Sequence, residues 1–343
     1  MRVSTRAPGK LAVLGEYAVL GGAPALVLAV DRCCTAEIGP ASAAAGPARS
    51  RACRLETRFP GARRYEAEPG EPTGVALVDL VRQTWPRTAE KAAASEAAAF
   101  RAVLDSSAFY LGEAKLGLGS SAAALCAFAG AWTAWHELPR PSLHELVALH
   151  RRFQGGAGSG FDVAASLLGG TIEFRLDSDS TPHVVSVRMP NSVGFASIFS
   201  GRPAATPDFV ARYHAWQAEQ PVQAEERQRI MEGIAAAGCA AARENDSRGL
   251  VRAVRLYAEQ LELLGLVIGA DIVTREHRAI AEIARGFGLA YKVSGAGGGD
   301  LGLGIGEDPE ALAAFEQAAA AQGYLAVNLH LASRGLVVEE RTE

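Results

Sequence analysis

Residues 100–135 constrain the fold more than any other stretch. Strand-like residues run from Phe100 to Tyr110, the glycine-rich segment KLGLGSSAAA follows at residues 115–124, and an apolar run extends from Ala122 to Trp135. A strand, a glycine loop and a helix in that order are the context that a phosphate-binding loop requires. The first N–H groups of a helix have no partner within it and lie at the positive end of its dipole. Small residues there let a bulky anion come close. The same residues also suit a plain helix start, in which a serine caps and a glycine turns the chain.

Bulk properties exclude several classes of protein. The chain has 343 residues, 49% of them hydrophobic, which is ample for a large core and for two domains. Its net charge of -4 gives no basic face, so nucleic acid is not an expected partner. The five cysteines are odd in number and include no Cys-x-x-Cys pair. They read as reduced thiols of a cytoplasmic protein, with Cys33 and Cys34 as neighbours in a strand. Lys10 and Glu16 interrupt the early apolar residues, unlike the uninterrupted core of a secretory signal. The longest apolar run, residues 17–30, contains Gly21, Gly22 and Pro24 and is shorter than the about 20 residues that span a bilayer. No membrane partner is expected.

Residues 3–32 read as strand, turn, strand, punctuated by Gly15, Gly21 and Gly22. Residues 39–47 read as a mobile low-complexity loop, 51–59 as a polar strand and 63–74 as a turn-rich joint. Helices are expected over 74–85 and over the Ala-rich residues 89–100. Ser142 and Glu145 match a capping box after Pro141 and start a helix that reaches about Phe153. A second glycine cluster, residues 155–170, opens another helix, and residues 171–174, 184–189 and 193–199 are strand-like. Helices then dominate over 208–220, 223–244, 249–264 and 271–287. Two strands flank a third glycine cluster within 290–305, and a helix over 309–322 and short strands follow. The chain reads as α+β, with a joint near residues 175–181 and domains at 1–175 and 176–343. It has no solenoid repeat.

The chemistry is narrowed by what is missing. The pattern G-x-x-x-x-G-K-[ST] is absent, and the glycines of 295–299 lack the acidic residue that a dinucleotide fold places on a second strand. The seven histidines include no H-E-x-x-H spacing, and His150 reads as an ordinary surface or half-buried residue. What remains is three glycine-rich motifs in order: APGKLAVLGEYAVLGGAPAL, KLGLGSSAAA and KVSGAGGGDLG. Together they resemble the three motifs of the GHMP small-molecule kinases, named for galactokinase, homoserine kinase, mevalonate kinase and phosphomevalonate kinase. The resemblance covers nearly the whole chain. Within that superfamily, GEYAVLGGAPALVLAVDR, FQGGAGSGFDVAASLLGG, FSGRPAATPDFV and KVSGAGGGD are most similar to the bacterial and fungal phosphomevalonate kinases. Gly156 stands where that family commonly has Lys, and Ala205 where it has Ser. Arg151 stands at about the place of the metal-binding Glu of mevalonate kinases.

The resemblance implies a two-domain fold, with an N-terminal domain like the second domain of ribosomal protein S5 and a ferredoxin-like C-terminal domain. It implies ATP and Mg2+ as cofactors. Gly117, Leu118, Gly119, Ser120, Ser121 and Ala122 would cradle nucleotide phosphates, and Ser121 would lie near magnesium. Lys115 reaches a phosphate or is a solvated lysine before the loop. Lys10 and Asp162 form the catalytic pair that the family uses, the lysine stabilising the transferring phosphoryl group. An acceptor phosphate needs cations and donors. Lys292 and Arg202 are the candidate cations, with Ser159, Ser200 and Thr206 as hydroxyl donors; Arg151 and Arg152 are the other basic candidates. Tyr17 touches the substrate body or packs in its strand, and Ser294, Gly295, Ala296 and Gly297 form a backbone-rich loop near the phosphates. The implied reaction is ATP-dependent phosphorylation of 5-phosphomevalonate, a small-molecule substrate, by a monomer or homodimer. The competing readings are a kinase of the same fold acting on a hydroxyl, such as mevalonate kinase, and a non-catalytic sensor. GSGFDV and SGAGGGD speak against the first, and intact Lys10, Ser121 and Asp162 against the second.

Overall fold

The structure is a computed structural model. It describes residues 2–41, 52–68, 70–86, 99–156, 158–177, 179–204 and 206–341, without the side chains of residues 206, 207 and 341. Most of the expected 39–47 loop and of the Ala-rich helix over 89–100 lies outside the described residues, as does Ala205.

The first half is built on two long strands. β1 (Arg2–Leu14) and β2 (Ala25–Pro40) pair antiparallel, with shifts of register at Pro8/Gly9 and Ala12/Leu14. β3 (Cys53–Arg58) and β4 (Ala62–Ala67) form a hairpin, and β5 (Phe100–Asp105) lies between β2 and β3. β8 (Thr171–Leu176) pairs with β2, and β9 (Pro182–Val187) pairs with β8. The last strand, β14 (Val337–Arg341), returns to pair with β1. Among the described residues this gives an eight-stranded sheet with the path β14-β1-β2-β5-β3-β4. The strands β9 and β14 both come from beyond the expected joint near residues 175–181.

Helices cover that sheet. α1 (Ala76–Thr84) occupies the expected 74–85 segment. α2 (Ser120–Trp135) is buried almost all round, as a helix apolar on every face must be, and packs on β1 and β2. α3 (Leu143–Phe153) starts at the Ser142–Glu145 capping box, with both reciprocal bonds formed. α4 (Phe161–Leu168) follows the second glycine cluster and packs on α2 and β1. The short β6 (Tyr110–Leu111) and β7 (Ala114–Lys115) form the hairpin that feeds the glycine loop.

The second half contains an antiparallel four-stranded sheet in the order β11-β12-β10-β13. Its strands are β10 (Gly194–Phe199), β11 (Ala290–Val293), β12 (Leu301–Gly306) and β13 (Leu325–Ala326). α5 (Thr206–Glu219), α6 (Pro221–Arg243), α7 (Ser247–Val267), α8 (Arg275–Gly286) and α9 (Pro309–Ala321) complete it. α7 and α8 pack on β11, and α9 on β10. One apolar cluster runs through both halves, from Val3 and Phe128 to Tyr257 and Leu303. Among the described residues no helix is long and apolar enough to cross a membrane. All five cysteines are free thiols, and Cys33 and Cys34 are neighbours in β2.

Candidate active site

The loop between β7 and α2 turns through left-handed conformations at Gly117 (φ 73°) and Gly119 (φ 76°), which only glycine adopts without strain. Gly119 has no side chain with which to cap α2, and no side-chain cap forms. The first-turn N–H groups of Ser120, Ser121 and Ala122 therefore suit an acceptor from outside the helix. Leu118 and Ala122 anchor the turn by burial, while Lys115 is exposed.

β1 brings Lys10 to this loop. Its backbone N–H donates to Leu118 O at 2.9 Å, and its ammonium donates to Gly117 O at 3.2 Å. The same ammonium lies 5.8 Å from the centre of the Phe161 ring, within the range of a cation–π contact. Asp162 stands in the first turn of α4, where the helix dipole favours an acid. A Cβ added to Gly119 would lie 3.3 Å from Asp162 Oδ2 and 3.3 Å from Lys10 Cγ. The fold thus brings the glycine loop, Lys10 and Asp162 together within the width of one side chain.

Ser121 has a neighbour that the sequence did not reveal. Its hydroxyl lies 3.1 Å from His150 Nε2. Contrary to the surface or half-buried place expected for it, His150 is only 2% exposed. Burial pushes its pKa down, opposed by the nearby Asp162 charge. Arg151 is partly buried and Arg152 exposed on the same helix. Among the described residues no cluster of three or more His, Cys, Asp or Glu could hold a metal by itself. Magnesium does not need one: it is commonly held by one or two protein oxygens together with substrate phosphates and water. The Ser121 hydroxyl beside the uncapped start of α2, with Asp162 across Gly119, fits that need.

The third glycine cluster is fastened to the first motif. Lys292, expected to meet an acceptor phosphate, has a fully buried side chain ion-paired to Glu16. Its ammonium also donates to Ala12 O at 3.3 Å and Val293 O at 2.6 Å. Three acceptors match its three protons, so this lysine is a tie between β11 and β1 and not a free cation at the cleft. Burial lowers its pKa, and the Glu16 charge opposes that fall. Ser294 accepts from Ala12 N–H at 2.9 Å and lies 3.2 Å from Ala12 O as a donor. Gly295 N–H donates to Glu16 Oε1 at 3.3 Å. The Tyr17 hydroxyl, kept protonated by burial, donates to Ala296 O at 2.5 Å, which favours packing over substrate contact for this residue. Gly297 packs against Ile272, leaving no room for a Cβ.

The remaining candidates flank this junction. Ser200 is buried and accepts from Arg202 N–H at 3.4 Å. Arg202 has a side chain 57% exposed, with Glu276 3.6 Å away, so that it, unlike Lys292, faces open space. Ser159 accepts from Phe161 N–H at 3.4 Å at the start of α4. Thr206 begins α5, and its side chain lies outside the described residues. The sequence reading also missed His277. Its Nε2 lies 2.9 Å from Gly299 O, so that nitrogen carries the proton, and Nδ1 accepts from the Tyr291 hydroxyl at 2.8 Å. A signal for it existed in the Thr274 cap three residues earlier, which fixes where α8 begins but not which side chains point inward.

Residues 79–170 match the model of the GHMP kinases N terminal domain, and residues 239–325 match the GHMP kinases C terminal model. The chain belongs to the GHMP kinases. Among curated proteins, the phosphomevalonate kinase of Streptomyces sp. (strain CL190) is 29% identical, covering 87% of this kinase and 88% of the relative. Among solved structures, a Listeria innocua protein superposes with a TM-score of 0.84 at 22% identity over 99% of this chain and 100% of that one. The Streptococcus pneumoniae phosphomevalonate kinase, solved with phosphomevalonate and AMPPNP, gives 0.76 at 19% identity over 96% and 99%. The two-domain GHMP kinase fold implied by the three motifs is therefore the fold of this chain.

Proposed function

We propose that this GHMP kinase transfers the γ-phosphoryl group of ATP to the phosphate of 5-phosphomevalonate, forming 5-diphosphomevalonate. The observation that carries the reading is the meeting of Lys10, Asp162 and the glycine loop around Gly119, supported by the phosphomevalonate kinase relative that matches most of the chain. The N–H groups of residues 120–122 hold the nucleotide phosphates. Ser121 holds magnesium, which when bound neutralises phosphate charge. Lys10 stabilises charge on the group in transfer, in a partly buried site where such contacts are strengthened.

The acceptor explains why the pair can work without a strong base. A phosphate monoester has a second pKa of about 6, so most of it is dianionic at neutral pH. Asp162 then holds and balances Lys10 and has little deprotonation to perform. Arg202 is the exposed cation suited to the acceptor phosphate, with the Ser200 hydroxyl beside it. The test is ADP release with ATP, magnesium and either mevalonate or 5-phosphomevalonate. Turnover of 5-phosphomevalonate alone is expected. Turnover of mevalonate alone would move the enzyme to the hydroxyl-directed kinases, and no turnover of either would refute both.

A further inference from the structure

Asp300 closes the third glycine cluster in a conformation that is unusual for it. Its φ of 57° is left-handed, a region few residues besides Gly, Asn and Asp enter, and surrounding contacts fix it there. Those contacts are with residues 200–204. The Asp300 N–H donates to Arg202 O at 2.7 Å, its carbonyl accepts from Ser200 N–H at 3.0 Å, and Oδ1 accepts from Ala204 N–H at 3.0 Å. Oδ2 reaches the other side of the cleft, so close to Gly117 that any Cβ there would overlap it. Burial raises the pKa of this carboxyl, while the Ala204 hydrogen bond and then the charges of Lys10 and Lys115 oppose the rise.

A carboxylate thus stands at the mouth of the glycine loop beside Gly117, whose carbonyl holds the Lys10 ammonium, the cation that the nucleotide reading gives to the phosphate in transfer. Two anions cannot share that cation without mutual repulsion. We propose that Asp300 is a positioning residue: it competes with nucleotide phosphates at Gly117 and Lys10, and its withdrawal moves residues 200–204, which carry Ser200 and Arg202, as nucleotide enters. The glycine loop would then report its occupancy to the side of the cleft that receives the acceptor. This inference rests on the reading of residues 117–122 as the nucleotide phosphate site.

Two variants test it. Asp300→Asn keeps an acceptor for Ala204 N–H and tolerates a left-handed backbone. Asp300→Gly removes the backbone constraint as well as the charge but also the Ala204 bond, and circular dichroism checks the fold of both. Binding of ADP without a divalent cation, followed by titration calorimetry, reads the competition between anions alone. Both variants are expected to bind ADP about five- to tenfold more tightly than wild type. A residue that only shaped the loop would give equal or weaker binding in both, and that outcome overturns the proposal. Hydrogen exchange over residues 200–204 is the second readout. It is expected to rise when wild type binds ADP and to change little in Asp300→Gly; a constant rate in wild type refutes the coupling. If wild type does not bind ADP at all, the nucleotide reading fails and takes this one with it. ADP binding by wild type without a gain in either variant removes only the role of Asp300.

Discussion

Replacing Lys292 by Met tests whether that lysine ties the motifs together or faces substrate. Met has similar length and no charge, and it strands Glu16, whose side chain is 2% exposed. Glu16 Oε1 would keep only the bond from Gly295 N–H, and its Oε2 has no hydrogen-bond partner in the first place. Breaking a buried pair by removing one member costs about 3–5 kcal/mol, most of it the charge left behind. Lys292→Met is therefore expected to lose about 3–5 kcal/mol in urea unfolding. The double variant Glu16→Gln/Lys292→Met should lose less than the sum of the single variants by about 2 kcal/mol or more. Trp132, packed in the first half, and Trp216 in α5 provide fluorescence for the unfolding, and coincidence with circular dichroism checks that one transition is followed. The reasoning is refuted if Lys292→Met costs under about 1 kcal/mol while the KM for 5-phosphomevalonate rises strongly with that for ATP unchanged. Such a result would mean that the ammonium leaves Glu16 and meets the acceptor.

Asp162→Asn, which keeps shape but not charge, is expected to lower kcat by about 10² through loss of positioning and electrostatics. Its residual rate should level off once the substrate phosphate is ionised; a continuing tenfold rise per pH unit would show that hydroxide is replacing a lost base. His277 gives a pH prediction for stability. Its folded pKa is lowered by burial, the Gly299 bond and the nearby acids opposing, so below the ordinary value of about 6.5 the unfolded chain binds the proton more readily. Its contribution is complete above that pH and is lost as pH falls through the folded pKa, at a slope of at most about 1.4 kcal/mol per pH unit for one proton. Denaturation midpoints between pH 8 and 5 should fall less steeply in His277→Gln, and equal slopes would exclude His277 as the source.

The glycine loop was legible in the sequence because its requirement is local: glycines for left-handed turns, then a helix start without a cap. The Ser142–Glu145 box was legible for the same reason. The tie of Lys292 to Glu16 was not legible because β11 is buried at all four positions, Ala290 to Val293. A strand covered on both faces shows no alternation, and nothing local says whether its one charge meets substrate or a distant carboxylate. Its partner Glu16 lies at the other end of the sequence, in the first motif. His150 was passed over for a related reason: on an amphipathic helix a lone histidine gives no clue to the hydroxyl it meets, and Ser121 comes from another helix. In the fold, the joint near residues 175–181 was read from a change of local character. Such a change carries no information on strands that cross back, and β9 and β14 both pair in the larger sheet.

The pairing of β14 sets a condition on folding during synthesis. β1 pairs with β14 through Arg2 with Arg341 to Arg6 with Val337, which joins the two ends of the described chain. As the polypeptide leaves the ribosome, the outer edge of β1 waits with unpaired N–H and C=O groups until residues 337–341 have emerged. An open edge of this kind recruits other strands, so the nascent kinase is most vulnerable to misassembly while its second half is still being translated. The pairing also closes the long loop from Arg6 to Val337, although the entropy of closure grows only slowly with length. The larger sheet starts from β1 and closes along that edge only when β14 has joined it.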